Sequence, residues 1–329
     1  MIIRLGYVAM SMTVQNASPS RTMTATTFNK LMDREAAIRK LERLGAENIH
    51  NTLRLLRHNR AHDIMVFRIS SKLIPLIGHE MLEEWDPIPT LAAEFEELGH
   101  YAKQHGMRVS FHPDHFTVLS TPKEDVLRKS IQDLDRHDAM LNAMGLGKEA
   151  MCNIHVGGSY GDKEKASKRF IHNFRELRPE IQQRITLEND DKTFNALDTL
   201  EIAEEVGVPM VLDIHHHAVN NNGEDARELW PRIRQTWLRH EDGESGPEET
   251  HLPPKIHVSS PRSDTDPRSH ADYVEIGPLL SFLRVIAPTT PSLDIMIEAK
   301  KKDDALFRLM EDFKEQEGVS VLNQASIQL

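Results

Sequence analysis

Side chains able to bind metal ions recur in this chain at one kind of position, the end of a short apolar segment. His112 ends the segment RVSFH, His155 ends MCNIH and Glu188 ends RITLE. Local propensity does not place lone-pair donors at the same end of successive apolar segments, so the repetition indicates a shared site. Further candidates lie in or directly after the later segments VLDIHH, KIHVSS, SHADY and DIMIE: Asp213, His216, His257, His270 and Glu298. So many imidazole and carboxylate ligands predict a polynuclear centre of divalent metal ions.

The segments between these positions have the pattern of amphipathic helices. LAAEFEELGHYAKQHG places its apolar residues at helical spacing and ends at Gly106, which suits a helix C-terminus. Two earlier apolar segments, IIRLGY ending at Tyr7 and IMVFRIS followed by His79, bring the strands to eight. Strands alternating with helices predict a parallel sheet, and eight predict a (β/α)8 TIM barrel whose active site lies at the C-terminal mouth of the strands. We expect one domain over residues 1–329, with the acidic stretch 241–254 as a loop before the seventh strand.

The composition indicates in which cellular compartment the protein works and which partners it can bind. Cys152 is the single cysteine, which excludes an internal disulfide and is typical of the reducing cytoplasm. No segment approaches the roughly 18 apolar residues of a membrane span, and the N-terminus lacks the features of a signal peptide, so we expect a cytoplasmic protein. We also expect it to be a monomer. A net charge of −11 does not by itself favour nucleic-acid binding. Bound cations, with Arg68 and Lys300 near strand ends, would nevertheless make the mouth locally positive.

Three of the candidate ligands suggest more specific roles. A buried lone carboxylate is costly without a cation, so we interpret Glu188 as a ligand whose two oxygens bridge two ions. Asp213 and His216 form D-x-x-H at a strand end, where both could face the mouth and bind different ions. We expect their neighbours His215 and His217 to point elsewhere in an extended segment.

Lys255 and Tyr7 each admit more than one interpretation. Lys255 lies two residues before His257, on the same face of a strand, where bound cations would repel an ammonium group. It could be deprotonated, contact a substrate phosphate, be carboxylated by carbon dioxide into an anion, or be an ordinary lysine at a strand start. Tyr7 could be a half-buried core aromatic or, at a barrel mouth, could stack on a nucleic-acid base.

The ordered motifs resemble one known family. FRISSKLIPLIGH, FHPDHF, NIHVGG, LENDD, DIHH, PKIHVSSPRS, SHADYV and MIEAK resemble the UV damage endonuclease family over nearly the whole chain. These DNA-repair enzymes share a xylose-isomerase-like barrel with the endonuclease IV group. The resemblance implies three divalent ions, commonly Mn²⁺, with Zn²⁺, Co²⁺ or Mg²⁺ as alternatives. It implies one ion held by His112, His155 and Glu188, a second by Glu188, Asp213, His257 and Glu298, and a third by His216 and His270.

The resemblance also implies roles beside metal binding. His79 matches an active-site histidine close to the scissile phosphate, and Lys255 matches a lysine that is carboxylated (N6-carboxylysine) in the family. With the bridging Glu188, these residues form the expected catalytic set.

This chain departs from the family pattern at several positions. His115 and Phe116 stand where the family often has Gln-Tyr or Gln-Phe, the pair that probes damaged bases. Phe116 can still insert into the base stack, whereas His115 cannot donate and accept as a primary amide does. Met10 stands where an asparagine is often found. In the related apurinic endonucleases Asp-x-His occupies the place of Arg268-Ser269-His270, so we expect the third ion to be held more weakly.

Together these features predict a metal-dependent endonuclease that nicks damaged double-stranded DNA immediately 5′ of UV photoproducts (cyclobutane dimers and 6-4 photoproducts) and of abasic sites. The expected contacts with DNA are Tyr7, His115, Phe116, Arg68 and Lys300. The enzymatic alternative is a sugar isomerase or epimerase on the same barrel, whose sites use one or two ions with mainly carboxylate ligands. The non-enzymatic alternative is a metal- or nucleic-acid-binding module. The number of histidine candidates argues against the isomerase, and the strand-end glutamates argue against a passive module.

Overall fold

Eight parallel strands form a closed barrel in the computed structural model, which describes residues 1–239 and 252–329. The barrel closes because the first strand also pairs in parallel with the last, Ile2 opposite Ser292 and Tyr7 opposite Ile297. In chain order the barrel strands are β1 (Ile2–Val8), β2 (Val66–Arg68), β3 (Arg108–Phe111), β4 (Met151–His155), β5 (Ile185–Glu188), β6 (Met210–Asp213), β7 (Lys255–Val258) and β10 (Ser292–Ile297). The predicted (β/α)8 barrel is confirmed. The loop predicted at 241–254 lies mostly outside the described residues.

Helices cover the outside of the barrel. They are α1 (Ala25–Asn29), α2 (Arg34–Ala61), α3 (Ala92–Gln104), α4 (Glu124–Ala143), α5 (Lys163–Arg175), α6 (Pro179–Gln182), α7 (Ala196–Val206), α8 (Ile214–Val219), α9 (Ala226–Arg239), α10 (Ile276–Ile286) and α11 (Lys302–Lys314). Short 3-10 turns lie at Glu80–Leu82 and Ala287–Thr289. Within the described residues, no helix combines the length and apolar character needed to cross a membrane.

Residues of each barrel strand alternate between the helices outside and the barrel interior. In β5, Ile185 and Leu187 are fully buried in the core that packs beneath the helices. Thr186 and Glu188 face inward, where each is hydrogen-bonded to Asn153 of β4. The barrel interior also holds a small separate apolar cluster: Val8, Val66 and Met296. This alternation directs the last inward side chain of each strand to the C-terminal mouth.

A glycine allows β1 and β2 to approach closely. A Cβ atom at Gly6 would lie 2.1 Å from the carbonyl oxygen of Val66 and 2.8 Å from the Val66 Cβ. No side chain fits at that spacing, so Gly6 keeps the strands paired where they enter the mouth.

Two strand pairs were not expected from the sequence. A hairpin of β8 (Pro261–Ser263) and β9 (Asp266–His270) stands beside the mouth after β7, and β11 (Ser320–Asn323) and β12 (Ser326–Gln328) form a second antiparallel pair. β12 pairs with the first residues of β1 and lies outside the barrel closure. These strands are short and carry few apolar residues, so they lack a clear hydrophobic pattern.

The segment after β6 is also different from the prediction. His215 and His217 lie in α8, not in an extended segment. Asp213 caps this helix, since its Oδ1 accepts a hydrogen bond from the His216 N–H at 2.7 Å. Neither His215 nor His217 belongs to the closely spaced ligand sets of the described residues.

Candidate metal centre

Glu188 is the central side chain of the mouth and is almost fully buried at the end of β5. The Asn153 amide donates to Oε2, His112 Nε2 lies 3.1 Å from the same oxygen, and His257 Nδ1 lies 3.1 Å from Oε1. Burial opposes ionisation, but the charges of His257 and His155 and the hydrogen bond from His112 outweigh it, and the pKa of Glu188 lies well below its usual range. Glu188 is therefore held as a carboxylate with both oxygens directed at imidazoles.

Three sets of candidate ligands meet at Glu188. Within each set the ligand atoms lie within 4.8 Å of one another. Glu188 is joined by His112 and His155 in one set, by Asp213 and His216 in another, and by His257 and Glu298 in the third. A carboxylate shared among all three sets has the position that a bridging ligand needs, although the structure groups Asp213 with His216 and not with His257.

The imidazole rings are oriented by the main chain. In four of the candidate histidines Nδ1 lies 2.9–3.1 Å from a carbonyl oxygen. The pairs are His112 with Pro113, His155 with Glu188, His216 with Asn189, and His270 with Glu298. A carbonyl only accepts, so Nδ1 carries a proton and Nε2 is the nitrogen through which each ring would bind a metal ion. This is the second-shell arrangement that prepares a histidine to bind a metal through Nε2.

Buried polar atoms without partners test whether the site fits a cation. The buried side-chain atoms that make no hydrogen bond in the described part of the chain include two from these ligand sets, Asp213 Oδ2 and His257 Nδ1. His257 Nδ1 nevertheless lies 3.1 Å from Glu188 and 3.0 Å from Glu298, outside hydrogen-bond geometry. Burial lowers the pKa of His257, but the charges of Glu188 and Glu298 raise it to about 9. One divalent cation in the set of Asp213 and one in the set of His257 would give these atoms partners, so the residues present fit a metal centre.

His270 approaches the centre from outside the barrel strands. It ends β9, and its ring centroid lies 6.2 Å from that of His216. It is not part of the closely spaced ligand sets. The structure thus places the His270 ring near that of His216, and a shared ion between the two stays a prediction.

Arg68, expected to contact substrate, is paired instead with a candidate ligand. From the end of β2 its guanidinium donates to Glu298 Oε1 across the mouth. Burial would raise the pKa of Glu298, but Arg68 and His257 hold it well below its usual range.

Lys302, which the sequence analysis missed, stands nearby with a positive φ of 51° at the start of α11. Burial and the charge of Arg68 lower the pKa of Lys302, whereas Lys300 is exposed to solvent.

The expectation that Tyr7 stacks on a base is wrong for this structure. Tyr7 follows Ile3 and Leu5 on the outward face of β1 and is fully buried between the barrel and α2. Its hydroxyl donates to Asn59 Oδ1 at 2.6 Å, and its ring packs edge-on against Phe67. A side chain of β1 faces the barrel interior only if it stands one residue before or after these outward positions.

His115 and Phe116 do lie at the surface of the mouth. Their side chains are highly exposed, 75% for His115 and 74% for Phe116, and their ring centroids are 4.0 Å apart. A cleft of about 320 Å³ runs from His115 past His112 to Lys192. Lys192 was missed by the sequence analysis, because a lysine in a loop has no distinguishing signal.

His79 and Lys255 are less directly connected to the centre than expected. The contacts of His79 are local, since its Nδ1 accepts from the Met81 N–H at 3.3 Å and caps a 3-10 turn. Lys255 faces inward as predicted, but one layer below His257, and its ammonium or amine donates to Ser110 Oγ at 3.3 Å. It therefore points toward β3, not toward His216 and the β9 hairpin.

The surroundings of Lys255 favour its neutral form. The side chain is 5% exposed in the barrel interior. Burial, together with the charge of Arg108, lowers the pKa of Lys255 well below its usual value, and the opposing charge of Asp294 does not restore it.

Comparisons with known proteins agree with the barrel fold. Residues 3–329 match the family described as UV-endonuclease UvdE. The UV DNA damage endonuclease of Halalkalibacterium halodurans is 43% identical over 329 residues, covering 100% of this chain and 99% of that protein. The crystal structure of SacUVDE has a TM-score of 0.80 at 30% identity and covers 95% of this chain and 98% of that one. Endonuclease IV from Thermus thermophilus, with a TM-score of 0.55 and 12% identity over 95% and 99% of the chains, shares the fold alone.

Proposed function

This chain belongs to the UV-endonuclease UvdE family, and we propose that it is a metal-dependent endonuclease that nicks damaged double-stranded DNA. The observation that carries the proposal is the meeting of three ligand sets at Glu188 in the barrel mouth. The name of its 43% identical relative, a UV DNA damage endonuclease, supports ultraviolet photoproducts as the substrate class.

The residues of the chain prepare the site for phosphodiester hydrolysis. Main-chain carbonyls accept from Nδ1 of His112, His155 and His216, which leaves Nε2 as the nitrogen that would bind a metal ion, and the Asn153 amide donates to Glu188. When bound, divalent ions would polarise the phosphodiester, supply a hydroxide near neutral pH and stabilise the leaving 3′-oxygen. The reaction adds water across the P–O3′ bond 5′ of the lesion and leaves a 3′-hydroxyl and a 5′-phosphate.

We assign three ions to the centre, with Mn²⁺ as the first choice and Zn²⁺, Co²⁺ or Mg²⁺ as alternatives. Support comes from the mixture of imidazole and carboxylate ligands, which suits these metals. Glu188 would bridge, and His216 with His270 would hold the third ion.

We also propose that Lys255 is carboxylated. Its low pKa favours the neutral amine, whose nitrogen attacks carbon dioxide to form a carbamate and release a proton. Arg108 and Arg68, whose charges disfavour an ammonium at this position, would stabilise the carbamate anion. The buried site beside Ser110 would also limit the access of water to the modified group.

Recognition of the lesion is assigned to the exposed pair His115 and Phe116. A damaged step stacks poorly, so extruding it costs less than extruding normal bases. Phe116 would occupy the gap in the stack, and photoproducts of different chemistry or an abasic site would then share one mouth. Lys300, Lys192 and His79 are the proposed contacts with the DNA backbone, and the chain would act as a monomer.

A sugar isomerase or epimerase remains the alternative from a different enzyme class, and one experiment separates the two. Ultraviolet-irradiated and untreated supercoiled plasmid are incubated with the Mn²⁺-loaded protein, and ketose–aldose and epimer interconversion is assayed in parallel. We expect selective nicking of irradiated plasmid and no sugar turnover. Equal nicking of both plasmids, or turnover of sugar without nicking, would refute the proposal.

A labelled duplex with one cyclobutane dimer then locates the cut. A single product ending in a 3′-hydroxyl directly 5′ of the dimer is expected. Glu96→Gln, an exposed substitution on α3, serves as the matched control for Glu188→Gln because both remove one carboxylate charge. Only Glu188→Gln should abolish the cut.

A further inference from the structure

His215 connects the metal centre to the β8–β9 hairpin without being a ligand itself. Its ring is buried, with 2% of the residue exposed. Nε2 lies 2.6 Å from the Pro267 carbonyl oxygen in β9, and Nδ1 lies 2.7 Å from Ser259 Oγ just after β7. Because the carbonyl only accepts, Nε2 carries the proton, and in the neutral ring Nδ1 accepts from the Ser259 hydroxyl. Both ring nitrogens are engaged, so neither is available to a metal ion.

Apart from His215, the side-chain hydrogen bond that joins the hairpin strands to the barrel is that of His270 with the Glu298 carbonyl, among the residues that the structure describes. All three residues of β8 are exposed, and the exposed Arg262 and Arg268 make only long ion pairs at 3.5 and 3.8 Å. Its base is tied by a hydrogen bond from Ala271 N–H to the Ser260 carbonyl at 2.8 Å. A two-stranded hairpin is marginally stable by itself. The buried contact of His215 with β9 is therefore a major restraint on the strand.

The same strand presents His270 to the centre. His270 follows Pro267 by three residues, and its ring packs edge-on against the ring of His215 with centroids 5.3 Å apart. Its Nδ1 donates to the Glu298 carbonyl at 2.9 Å, which leaves Nε2 for a metal ion beside His216. The position of β9 thus determines whether His270 reaches the ion.

We propose that His215 is a positioning residue that holds β9 in place so that His270 and His216 can bind the same ion. The inference rests on the metal centre of the proposed function, but not on the DNA substrate or on nicking. Second-shell partners of this kind commonly change metal affinity by about 10- to 100-fold when they are removed.

The test compares substitutions at the two histidines that flank His216. His215→Phe keeps a ring of similar size and removes both hydrogen bonds, whereas His215→Gln retains an N–H donor near the position of Nε2. His217→Phe is the matched control, because His217 is also buried in α8 beside His216 but faces α10 near Phe282, away from the hairpin.

Binding of Mn²⁺ alone is counted for each full-length variant by equilibrium dialysis and native mass spectrometry, without DNA. We expect His215→Phe to weaken one Mn²⁺ step by about 10- to 100-fold and to leave the other steps unchanged. His215→Gln should recover most of that affinity, and His217→Phe should not change it. Hydrogen exchange of the β9 amides should accelerate in His215→Phe only. Adding His215→Phe to His270→Ala should cause no further loss, because both changes remove the same ligand.

Two results would overturn the inference. One is a folded His215→Phe chain, judged by near-UV circular dichroism, that binds every Mn²⁺ ion as the wild type does. Another is an equal loss in His217→Phe, which would indicate a general effect of packing in α8. A wild-type chain that binds Mn²⁺ with this dependence on His215 but leaves irradiated DNA intact would refute the proposed function and leave the inference standing.

Discussion

Tyr7 and Phe116 are two aromatic residues near the mouth whose substitution should have opposite consequences. Tyr7 is fully buried and hydrogen-bonded to Asn59, whereas Phe116 is 74% exposed. We therefore predict that Tyr7→Phe lowers stability without changing lesion recognition, and that Phe116→Ala lowers lesion recognition without changing stability.

The magnitudes follow from the surroundings of each ring. Tyr7→Phe removes the 2.6 Å hydrogen bond and leaves Asn59 Oδ1 buried without a donor, beside an Nδ2 that already has no partner among the described residues. An unsatisfied buried polar group costs about 1–3 kcal/mol of unfolding free energy. Phe116 packs mainly on the exposed His115 ring, so its removal should change stability by less than about 0.5 kcal/mol. A lost base–aromatic stack costs about 1–3 kcal/mol, which is about 5- to 150-fold in Kd.

The assay pairs two measurements on the same protein preparations. Urea denaturation gives the free energy of unfolding, and fluorescence anisotropy gives the Kd for a duplex with one cyclobutane dimer and for its undamaged counterpart. A chelator is present during the binding measurement so that the strand is not cut.

Either of two outcomes would refute the reasoning. Tyr7→Phe with wild-type stability and weakened binding to the dimer would place the phenol in the DNA interface. Phe116→Ala with equal losses on damaged and undamaged duplex would show that this ring does not discriminate lesions.

Three further predictions concern the barrel interior. Glu188→Gln should abolish nicking and lower the number of bound Mn²⁺ ions, measured by mass spectrometry, in a chain that still folds; near-wild-type nicking with full metal content would contradict the bridging role. Asp294→Asn should lower the free energy of unfolding at pH 7 by about 3–5 kcal/mol, since it leaves the buried Arg108 and the partly buried Arg4 without their carboxylate. Burial raises the pKa of Asp294, but Arg108 and Arg4 hold it below its usual value. The stability that Asp294 contributes is therefore present above the unfolded pKa of about 3.9 and is lost as the pH falls through the folded pKa. Urea denaturation should show a smaller effect of the substitution at pH 3 than at pH 7, and an equal effect would contradict the assignment. Lys255→Ala should reduce nicking with partial rescue by short carboxylic acids, and intact mass at neutral pH should reveal a labile carboxyl adduct in the wild type only; an unmodified amine in fully active protein would exclude the carbamate.

The barrel and most of the ligand candidates could be predicted because both follow from the alternation of inward and outward side chains along each strand. In β3, Arg108, Ser110 and His112 are the inward residues, and Val109 and Phe111 pack outward. The apolar outward residues identify the strand, and the residue that follows on the inward parity reaches the mouth. Tyr7 also ends a strand, but it stands on the outward face of β1, and the expectation for Tyr7 was wrong because it did not take the face into account.

Asn153, Lys302 and the hairpin strands were not predicted, for different reasons. Asn153 lies on the inward parity of β4 two residues before His155, so the strand period could have identified it as a neighbour of Glu188. Lys302 had no such signal, since it stands in a run of lysines and reaches Arg68 and Glu298 only through the turn that begins α11. The hairpin that carries His270 has too little apolar content to be recognised as strands. Its placement depends on His215, which the sequence does not distinguish from its neighbours.

The charge balance of the mouth explains how a site of buried carboxylates can exist before ions bind. Glu188, Asp213 and Glu298 lie close together in a region where unpaired negative charge is costly. Arg68 neutralises one of them, and the neighbouring carboxylates raise the pKa values of His216 and His257 to about 9 although burial lowers them, so both rings hold protons at neutral pH. Cations entering the mouth would therefore replace bound protons and the guanidinium contact. Because protons and metal ions compete for the same ligand atoms, the affinity for ions should depend on pH.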